Sequence, residues 1–486
     1  MEFTNEWKSV SSRWGHKLHS MCSYMAMFPP NLPHYFIEKC TMAGDVVLDP
    51  FCGRGTTPLE ACLMGRAGVG SDLNDLAYTL TKAKVNVPPA SELHARLAEL
   101  ERGYAVPQYV RPLLIKYNDF LDENAVSPAL WEEMRSVLAK VRRSFAQHGE
   151  PGMPYYRDED YEYRAPRSED AGYTEERHHR IWLFIHPATL HQLVYLRQRL
   201  GDSPCDDFIR ATLLGIMHGR GRFYLSIPMP NTFSLAPRYV LSYAYNHRLV
   251  MPNRDVFSCL RAKMDLMKIS SLPETYRPGE AVNCDVRDLP GAMDSLAVRH
   301  PEWDRPKLLV TSPPYLGVIK YGLYNWIRLW FLDKGDTGAM SAGAPRQAAT
   351  PATITTKTPP IPLQPLDRLT DARLDDGHKD LAGYLAFVRE AMAATYRVMD
   401  DRCLAAWVIG DVAEKGGPPL NLAEAVWEQA ARPEGWHLEG IIADEVAENR
   451  KVTKIWGESR GKATKVDRVI LLYKESLPVS AGPVRW

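Results

Sequence analysis

The feature that most constrains the fold is a strand–helix–strand pattern near the N-terminus. Residues 45–49 contain the apolar run VVL and predict a buried strand, and residues 51–55, FCGRG, predict a turn. A helix follows from a Thr56 cap, with Pro58 tolerated in its first turn. Residues 67–72 predict the second strand. A unit of this length implies a parallel sheet with a right-handed crossover.

The rest of the chain divides by its periodicity. Residues 90–275 show helical periodicity broken by proline-rich turns, whereas residues 281–285 and 306–312 again predict strands. We therefore expect an α/β fold, a Rossmann-like sheet interrupted by a large, mainly helical insertion. Because 486 residues are too many for one ordinary domain, the predicted division is residues 1–90 and 276–486 for the sheet domain and 91–275 for the insertion. Residues 334–366, rich in Ala, Thr and Pro, predict a mobile loop.

Composition narrows the class of protein. Lys plus Arg and Asp plus Glu both number 59, so a nucleic-acid binder would have to segregate its basic residues. The eight cysteines form no CxxC pair and no zinc-like cluster with histidine, which predicts a reduced compartment and no structural metal. We expect a cytoplasmic protein without a membrane span, because the sequence has neither a long apolar run nor a signal peptide.

The turn after the first strand has the chemistry of a ligand-binding loop. Gly53 and Gly55 permit a tight turn and a close approach of backbone to ligand, and the helix N-terminus offers unpaired N–H groups. Asp72 ends the next strand, where a carboxylate can bind both hydroxyls of a ribose. Because Thr56 and Thr57 follow the second glycine, the loop favours a nucleoside without phosphates, of which S-adenosylmethionine is the commonest. An ordinary strand–helix turn is the alternative.

A second motif, Thr311-Ser312-Pro313-Pro314-Tyr315, directly follows an apolar strand. Two prolines at a strand end are costly unless the loop must be rigid. They remove backbone donors, so the Ser312 hydroxyl and backbone carbonyls are left as acceptors, and Tyr315 can stack on a planar base. This set suits an exocyclic amine, which must surrender its conjugated lone pair to attack a methyl group. A turn that only caps the strand is the alternative.

The motifs DPFCGRGTT and TSPPY together resemble the amino-methyltransferases of DNA, over roughly residues 15–90 and 280–475. The resemblance implies a methyltransferase-type sheet, S-adenosylmethionine as cofactor and a flipped base of double-stranded DNA as substrate. In that family, serine at the first position of the second motif is associated with N4 of cytosine. The resemblance implies that the amine site consists of Ser312, Pro313, Pro314 and Tyr315. It implies a cofactor site of Asp49, Phe51, Gly53, Gly55, Thr56, Asp72, Asp285 and Phe28.

Three of these residues have particular roles by resemblance. Asp49 is expected near the methionine moiety and Asp285 at the adenine amino group, with Asp119 as a competing candidate for the adenine contact. Phe28 belongs to residues 19–32, which resemble the element that closes over methionine in this family.

Basic side chains must supply the contacts to DNA phosphates. The basic residues predicted to bind DNA are Lys451, Lys454, Arg220 and Arg222, and Asn231, in a predicted rigid loop at residues 226–233, is a candidate base contact. Residues 469–473 predict the final strand, and the two lysines precede it in a stretch that resembles a hairpin tip. A solvated charged surface is the alternative.

The function predicted is site-specific cytosine-N4 methylation of DNA at the prokaryotic nucleoid, by a monomer or homodimer. A cognate restriction endonuclease would be a functional partner without forming a stable complex. The alternatives are an adenine-N6 DNA enzyme, an RNA guanine-N2 enzyme, or a non-catalytic nucleic-acid-binding protein on the same scaffold. Pro204-Cys205 resembles the nucleophile of carbon-5 cytosine enzymes, but Asp206 and Asp207 after it favour a helix start.

Overall fold

A computed structural model describes most of the chain. The residues that it describes are 2–11, 14–25, 27–118, 127–148, 181, 184–219, 221, 223–228, 243–316, 321–332, 380–413, 419–445, 463–478 and 484.

A mainly parallel sheet forms the centre of the protein. Its strands are β1 (Val46–Asp49), β2 (Ala67–Asp72), β3 (Glu280–Asn283), β4 (Leu308–Thr311), β5 (Leu404–Ala413), β6 (Pro419–Leu420), β7 (His437–Glu445) and β8 (Ala463–Tyr473). The order is β3-β2-β1-β4-β5-β8-β7, and the two-residue β6 pairs with the end of β5. Strands β1 to β5 are parallel, and β8 is antiparallel to both of its neighbours. The strand order reverses between β1 and β4, which is where open α/β sheets bind ligands.

Helices cover both faces of this sheet. In chain order, all α-helices of the described residues, including those of the insertion, are α1 (Asn31–Cys40), α2 (Thr56–Leu63), α3 (Asp75–Val85), α4 (Ala90–Arg102), α5 (Arg111–Asn118), α6 (Pro128–His148), α7 (Pro187–Arg199), α8 (Pro204–Ile216), α9 (Val256–Met267), α10 (Leu289–Arg299), α11 (Tyr321–Leu332), α12 (Leu381–Val398) and α13 (Leu422–Val426). Strand residues alternate between the faces, as the period of two requires. In β4, Leu308 and Val310 pack with α1, whereas Leu309 packs with α10 and α12.

The predicted helical insertion is present as α4 to α9. Its apolar faces share one core with α2, α3 and α11, and Leu97, Leu193, Phe208 and Trp326 are buried in it. The insertion therefore packs directly against the strand–helix–strand unit. The predicted fold class is confirmed; the domain limits at residues 90 and 275 stay a prediction.

One local prediction is wrong. Thr56 does not cap α2, because the N-cap residue is Gly55, in the left-handed conformation with φ of 73°, and Thr56 is the first helical residue. The left-handed conformation favours glycine. The chain therefore turns at Gly55, and the helix starts at the next residue, Thr56.

Two features are absent from the described part of the chain. None of its helices is long and apolar enough to cross a bilayer. No group of three or more His, Cys, Asp or Glu side chains there could hold a metal ion.

Candidate active site

The polar residues of both motifs meet at the carboxyl edge of the parallel strands. β1 ends at Asp49, β2 at Asp72 and β4 at Thr311, and Asp285 follows β3 by two residues. A cavity of about 500 Å³ opens there, within the range of about 300–1,000 Å³ that small-molecule sites span. Its lining comprises Tyr24, Met25, Met27, Phe28, Asp49, Pro50, Phe51, Cys52, Gly53, Arg54, Thr56, Asp72, Leu73, Asn74, Cys284, Asp285, Val286, Arg287, Ser312, Pro314, Tyr321, Gly383, Ala386, Phe387 and Glu390.

Direct hydrogen bonds connect the two motifs, which are far apart in sequence. The Thr311 hydroxyl donates to Asp49 Oδ1 at 2.6 Å across a separation of 262 residues. The Thr57 hydroxyl donates to the carbonyl oxygen of Val310 at 3.0 Å. Side chains of the glycine-loop region thus fix the strand that carries the Ser-Pro-Pro-Tyr loop.

The two glycines of the first loop have different surroundings. Gly53 has φ of 51° and lines the cavity; a Cβ there would lie 3.3 Å from the Tyr24 ring. Its N–H donates to Asp72 Oδ2 at 2.9 Å. Gly55 packs against α3, and a Cβ there would lie 2.7 Å from Thr81 Oγ1. Gly53 therefore leaves room at the cavity surface, whereas Gly55 permits close packing behind the loop.

Burial raises the pKa of both strand-end carboxyls. The pKa of Asp72 is raised to about 6, although the N–H groups of Asn74 and Gly53 donate to it. The pKa of Asp49 is raised to about 7, although Thr311 and the Phe51 N–H donate to it. Both carboxyls already accept hydrogen bonds from protein groups. Asp72 ends β2, which lies farther from the centre of the sheet than β1, the strand that Asp49 ends.

Asp285 is engaged by a neighbouring cation. Arg287 donates from Nε to Asp285 Oδ1 at 2.8 Å and from Nη2 to Oδ2 at 2.6 Å. Arg287 Nη1 also lies 3.6 Å from Glu390 Oε2. An adenine amino group at Asp285 would therefore share the carboxylate with Arg287, whose side chain is more than half exposed.

The Ser-Pro-Pro-Tyr loop presents Ser312 and Pro314 to the cavity, and Pro313 is buried. Ser312 Oγ lies 3.2 Å from the carbonyl oxygen of Val408 and 3.1 Å from Tyr315 Oη. Because a carbonyl only accepts, the single Ser312 hydrogen is donated to Val408 when that bond forms, and the Oγ lone pairs remain as acceptors. The Tyr315 ring lies against β5: a Cβ on Gly410 would be 2.9 Å from its Cε1.

The N-terminal segment forms one wall of the cavity, through Tyr24, Met25, Met27 and Phe28. Both ends of this wall are bound to one carboxylate on α2: His19 Nε2 lies 2.8 Å from Glu60 Oε2, and His34 Nδ1 lies 2.8 Å from Oε1. The histidines' hydrogen bonds lower the pKa of Glu60 to about 2 against the opposing effect of burial, and burial lowers the pKa of His19 to about 4. Glu60 is therefore ionised, and it accepts hydrogen bonds from the neutral His19 imidazole and from His34.

These surroundings fit a nucleoside with an amino-acid tail. Phe51 and Phe387 provide apolar surface, with ring centroids 5.8 Å apart. Asp72 is a carboxyl at the end of the second strand, and Gly53 adds no side chain to the surface. The residues that would hold S-adenosylmethionine are thus present in the lining of the cavity.

Sequence reasoning missed several lining residues. Phe387 and Glu390 come from α12, and Tyr321 begins α11. They belong to ordinary helical patterns, so no local signal distinguished them. Tyr24 lies within residues 19–32, which resemblance had assigned to the cofactor, but it was not singled out.

Other predicted residues lie outside the described part of the chain. They are Lys451, Lys454, Arg220, Arg222, Asn231, the competing candidate Asp119 and the loop at residues 334–366.

The sheet order, the glycine loop and the cavity at the strand ends together define a Rossmann-like methyltransferase fold. Comparison with known proteins agrees. The family model described as DNA methylase matches residues 2–83. These findings confirm the resemblance to the amino-methyltransferases of DNA.

Individual relatives are distant. Over 377 residues the chain is 21% identical to the Type II methyltransferase M.MjaII of Methanocaldococcus jannaschii, covering 68% of this chain and 66% of that protein. It is 33% identical over 87 residues to the Type II methyltransferase M.MthZI of Methanothermobacter thermautotrophicus, covering 17% of this chain and 24% of that protein. It is 27% identical over 115 residues to the Type II methyltransferase M.BsoBI of Geobacillus stearothermophilus, covering 24% and 22%. The match thus spans just under two thirds of the first relative and about a quarter of the other two.

Proposed function

We propose that the chain is an S-adenosylmethionine-dependent DNA methyltransferase that modifies the exocyclic amino group of a flipped base, with N4 of cytosine as the acceptor. One observation carries the proposal. The glycine loop and the Ser-Pro-Pro-Tyr loop line the same cavity, and the bond from Thr311 to Asp49 connects their strands. A methyl donor and an amine can therefore occupy adjacent positions.

The cofactor side of the site would consist of the glycine loop and its surroundings. Asp72 would accept from the ribose hydroxyls, Asp285 from the adenine amino group, and Phe51 and Phe28 would cover apolar surface. Bound S-adenosylmethionine would supply an electrophilic methyl group on its sulfonium. Asp49 accepts hydrogen bonds from the Thr311 hydroxyl and the Phe51 N–H. Its role would therefore be to hold the glycine loop beside the methionine moiety.

On the amine side, Ser312 would orient the nucleophile. When its hydrogen is donated to the carbonyl oxygen of Val408, its lone pairs can accept an N–H of the substrate amine. Accepting that hydrogen bond helps the nitrogen to rehybridise and aims its lone pair, and positioning of this kind supplies much of a transfer reaction's acceleration. The new N–C bond replaces the S–C bond, and the amine loses one proton to solvent. No covalent bond to the protein is required.

We favour cytosine over adenine because the second motif begins with serine, which the family resemblance associates with N4 of cytosine. Ser312 is also a short side chain followed by two prolines, so the position of its hydroxyl relative to the substrate amine can vary little. An adenine product would keep the enzyme class and change only the base.

Phosphate contacts would come from the chain between β7 and β8. Glu445 pairs with Val466 at one end of this hairpin, and Ala463 pairs with Val412 near the carboxyl end of β5. β7 therefore ends and β8 begins at the same edge of the sheet as the cavity, and Lys451 and Lys454 stand between these two strands in sequence.

The test is to identify the methylated nucleoside. Duplex DNA is incubated with the purified chain and S-adenosylmethionine labelled in its methyl group, then digested and analysed by mass spectrometry; transfer RNA is treated in parallel. Labelled N4-methylcytosine is expected. Labelled N6-methyladenine would correct the base, and labelled guanine in RNA alone would replace DNA as the substrate. If calorimetry detects no S-adenosylmethionine binding and no label is transferred, the proposed activity is wrong.

A further inference from the structure

Three basic side chains meet behind the cofactor side of the cavity. Lys84 on α3 is fully buried, and its Nζ donates to the carbonyl oxygen of Arg54 at 2.6 Å. Lys263 on α9 is also buried, and its Nζ donates to the carbonyl oxygen of Ser20 at 2.6 Å. Arg54 Nη1 donates to the carbonyl oxygen of His19 at 3.1 Å. The glycine loop, α3 and the helical insertion thus each place one basic side chain where the loop meets the N-terminal segment.

No carboxylate pairs with these three side chains within the described part of the chain. Each of them donates instead to neutral oxygens. The ionised carboxylate of Glu60 already accepts hydrogen bonds from two histidines. Burial lowers the pKa of Lys84 well below its ordinary value, and the Arg54 cation acts in the same direction. Because a buried cation without a counter-charge is costly, a bound anion would stabilise this region.

Arg54 is the member of this group that reaches the cavity. It lines the cavity together with Thr56, the first residue of α2. Its Nε donates to Thr56 Oγ1 at 3.2 Å, which with the bond to the His19 carbonyl fixes the guanidinium plane, and Nη2 has no partner among the described residues. Burial lowers the pKa of Arg54 only to about 10, so the side chain is charged at neutral pH. The positive end of the α2 dipole adds to this charge.

The order of the strands shows which part of a cofactor would meet Arg54. The strands β3, β2, β1 and β4 are neighbours in that order. Asp285 follows β3, Asp72 ends β2, Arg54 lies in the loop after β1, and Ser312 follows β4. With adenine at Asp285 and ribose at Asp72, the amino-acid tail of the donor would extend along this edge to the loop after β1. The anionic group of that tail is its α-carboxylate.

Resting on the proposed function, we propose that Arg54 binds the α-carboxylate of the methyl donor, so that the charge of the tail determines which donors the site accepts. Lys84 and Lys263 hold the glycine loop and the N-terminal segment around this position without adding a competing carboxylate. Arginine matches a carboxylate in shape and charge, because parallel N–H groups can meet its two oxygens. A DNA phosphate is the other anion that could reach Arg54, and the experiment separates the two.

The test compares S-adenosylmethionine with its decarboxylated analogue, which keeps the adenosine, the sulfonium and the amine. Calorimetry gives the Kd of each for wild type, Arg54→Met and Arg54→Lys. Wild type should bind S-adenosylmethionine about 10- to 150-fold more tightly, the effect of a hydrogen bond to a charged group. Arg54→Met should bring this ratio close to one, mainly by weakening the binding of S-adenosylmethionine. Arg54→Lys keeps the charge but not the planar fork, so it should show an intermediate ratio even if Arg54→Met does not fold.

The matched control is Arg287→Met, because Arg287 is a second cavity-lining arginine but pairs with Asp285. This change should alter both Kd values alike and keep the ratio. The inference is wrong if wild type binds the two donors equally, or if the Arg54 variants keep the full ratio. In the second case, weaker binding of duplex DNA by these variants would assign a phosphate to Arg54. A wild-type protein that binds neither donor and transfers no methyl group would contradict the proposed function itself, which is a different result from equal binding of both donors.

Discussion

Replacing Glu60 with glutamine is expected to weaken cofactor binding from behind the cavity wall. Glu60 is buried on α2, and its two oxygens hold His19 and His34, which flank the wall formed by Tyr24 to Phe28. The wall is thus fixed at both ends by one carboxylate. Loss of this charge should release the wall while leaving its cavity-lining side chains unchanged.

The magnitude follows from the two hydrogen bonds. A bond to a charged group contributes about 1.5–3 kcal/mol and a neutral one about 0.5–1.5 kcal/mol, so conversion of both costs about 2 kcal/mol. The glutamine –NH₂ would also face one imidazole N–H, so two hydrogen-bond donors would meet without an acceptor. His19 Nδ1 is buried and has no hydrogen-bond partner among the described residues, so a change of tautomer there offers only partial relief. We expect the free energy of unfolding to fall by about 3 kcal/mol. If about 1.4 kcal/mol of this acts on the wall, the Kd for S-adenosylmethionine rises about tenfold.

Denaturant unfolding and calorimetry with S-adenosylmethionine measure the two quantities. The control is Glu99→Gln, because Glu99 is exposed on α4 and its ion pair with Arg96 spans one helical turn. That change should alter stability by less than about 0.5 kcal/mol. A Glu60→Gln protein with the stability and cofactor affinity of the control would refute the reasoning.

The same bridge predicts how stability depends on pH. The pKa of His19 is lowered to about 4 in the folded protein, so its contribution is complete above the ordinary value near 6.5 and is lost as pH falls toward 4. The pKa of Glu60 is lowered to about 2, so its contribution is lost between its ordinary value near 4.5 and about 2. The bridge therefore contributes a loss of stability below pH 6.5, and the raised pKa values of Asp49 and Asp72 act against this loss. Glu60→Gln should remove the lower part of this dependence, which unfolding measured across this pH range would show.

Three further predictions follow from single features. Gly55→Ala should destabilise the protein more than Gly44→Ala: both have positive φ, but only Gly55 meets a side chain within 4 Å, so the difference in unfolding free energy reports the steric clash. Equal losses would contradict this. Cys205→Ala should keep methyl transfer, because burial raises the pKa of this thiol and it lies at the start of α8, so loss of transfer with intact cofactor binding would reinstate a cysteine nucleophile. Charge reversal at Lys451 and Lys454 should weaken binding to all DNA sequences alike, and unchanged affinity in a filter-binding assay would contradict a phosphate contact.

The sequence predicted the sheet well where the signal was local. The strands ending at Asp49 and Asp72 and the loop between them follow from a short apolar run, glycines and a second run, so the bounds of β2 were predicted to the residue. The apolar run before Ser312 likewise predicted β4. Parallel strands of this kind bring their carboxyl ends together, so the meeting of the two motifs could be predicted without coordinates.

Side-chain roles that depend on distant contacts could not be predicted. Gly53 and Gly55 are equivalent in the motif, yet Tyr24 lies against one and Thr81 against the other. Tyr315 carries the motif's aromatic ring, but its direction depends on Gly410 of β5. The bonds of Glu60 to two histidines depend on how the N-terminal segment crosses α2, and no periodicity encodes that crossing.

The central claim is that Ser312 meets the substrate amine in a cavity shared with the cofactor, and single-turnover transfer by Ser312→Ala tests it most directly. The matched control is Ser295→Ala, because Ser295 is exposed on α10 and its hydroxyl donates to the carbonyl oxygen of Gly291 in the same helix. We predict that Ser312→Ala slows transfer about 10²- to 10³-fold, the usual effect of removing one transition-state hydrogen bond, with the Kd for S-adenosylmethionine unchanged. Transfer at the rate of the control would contradict the account.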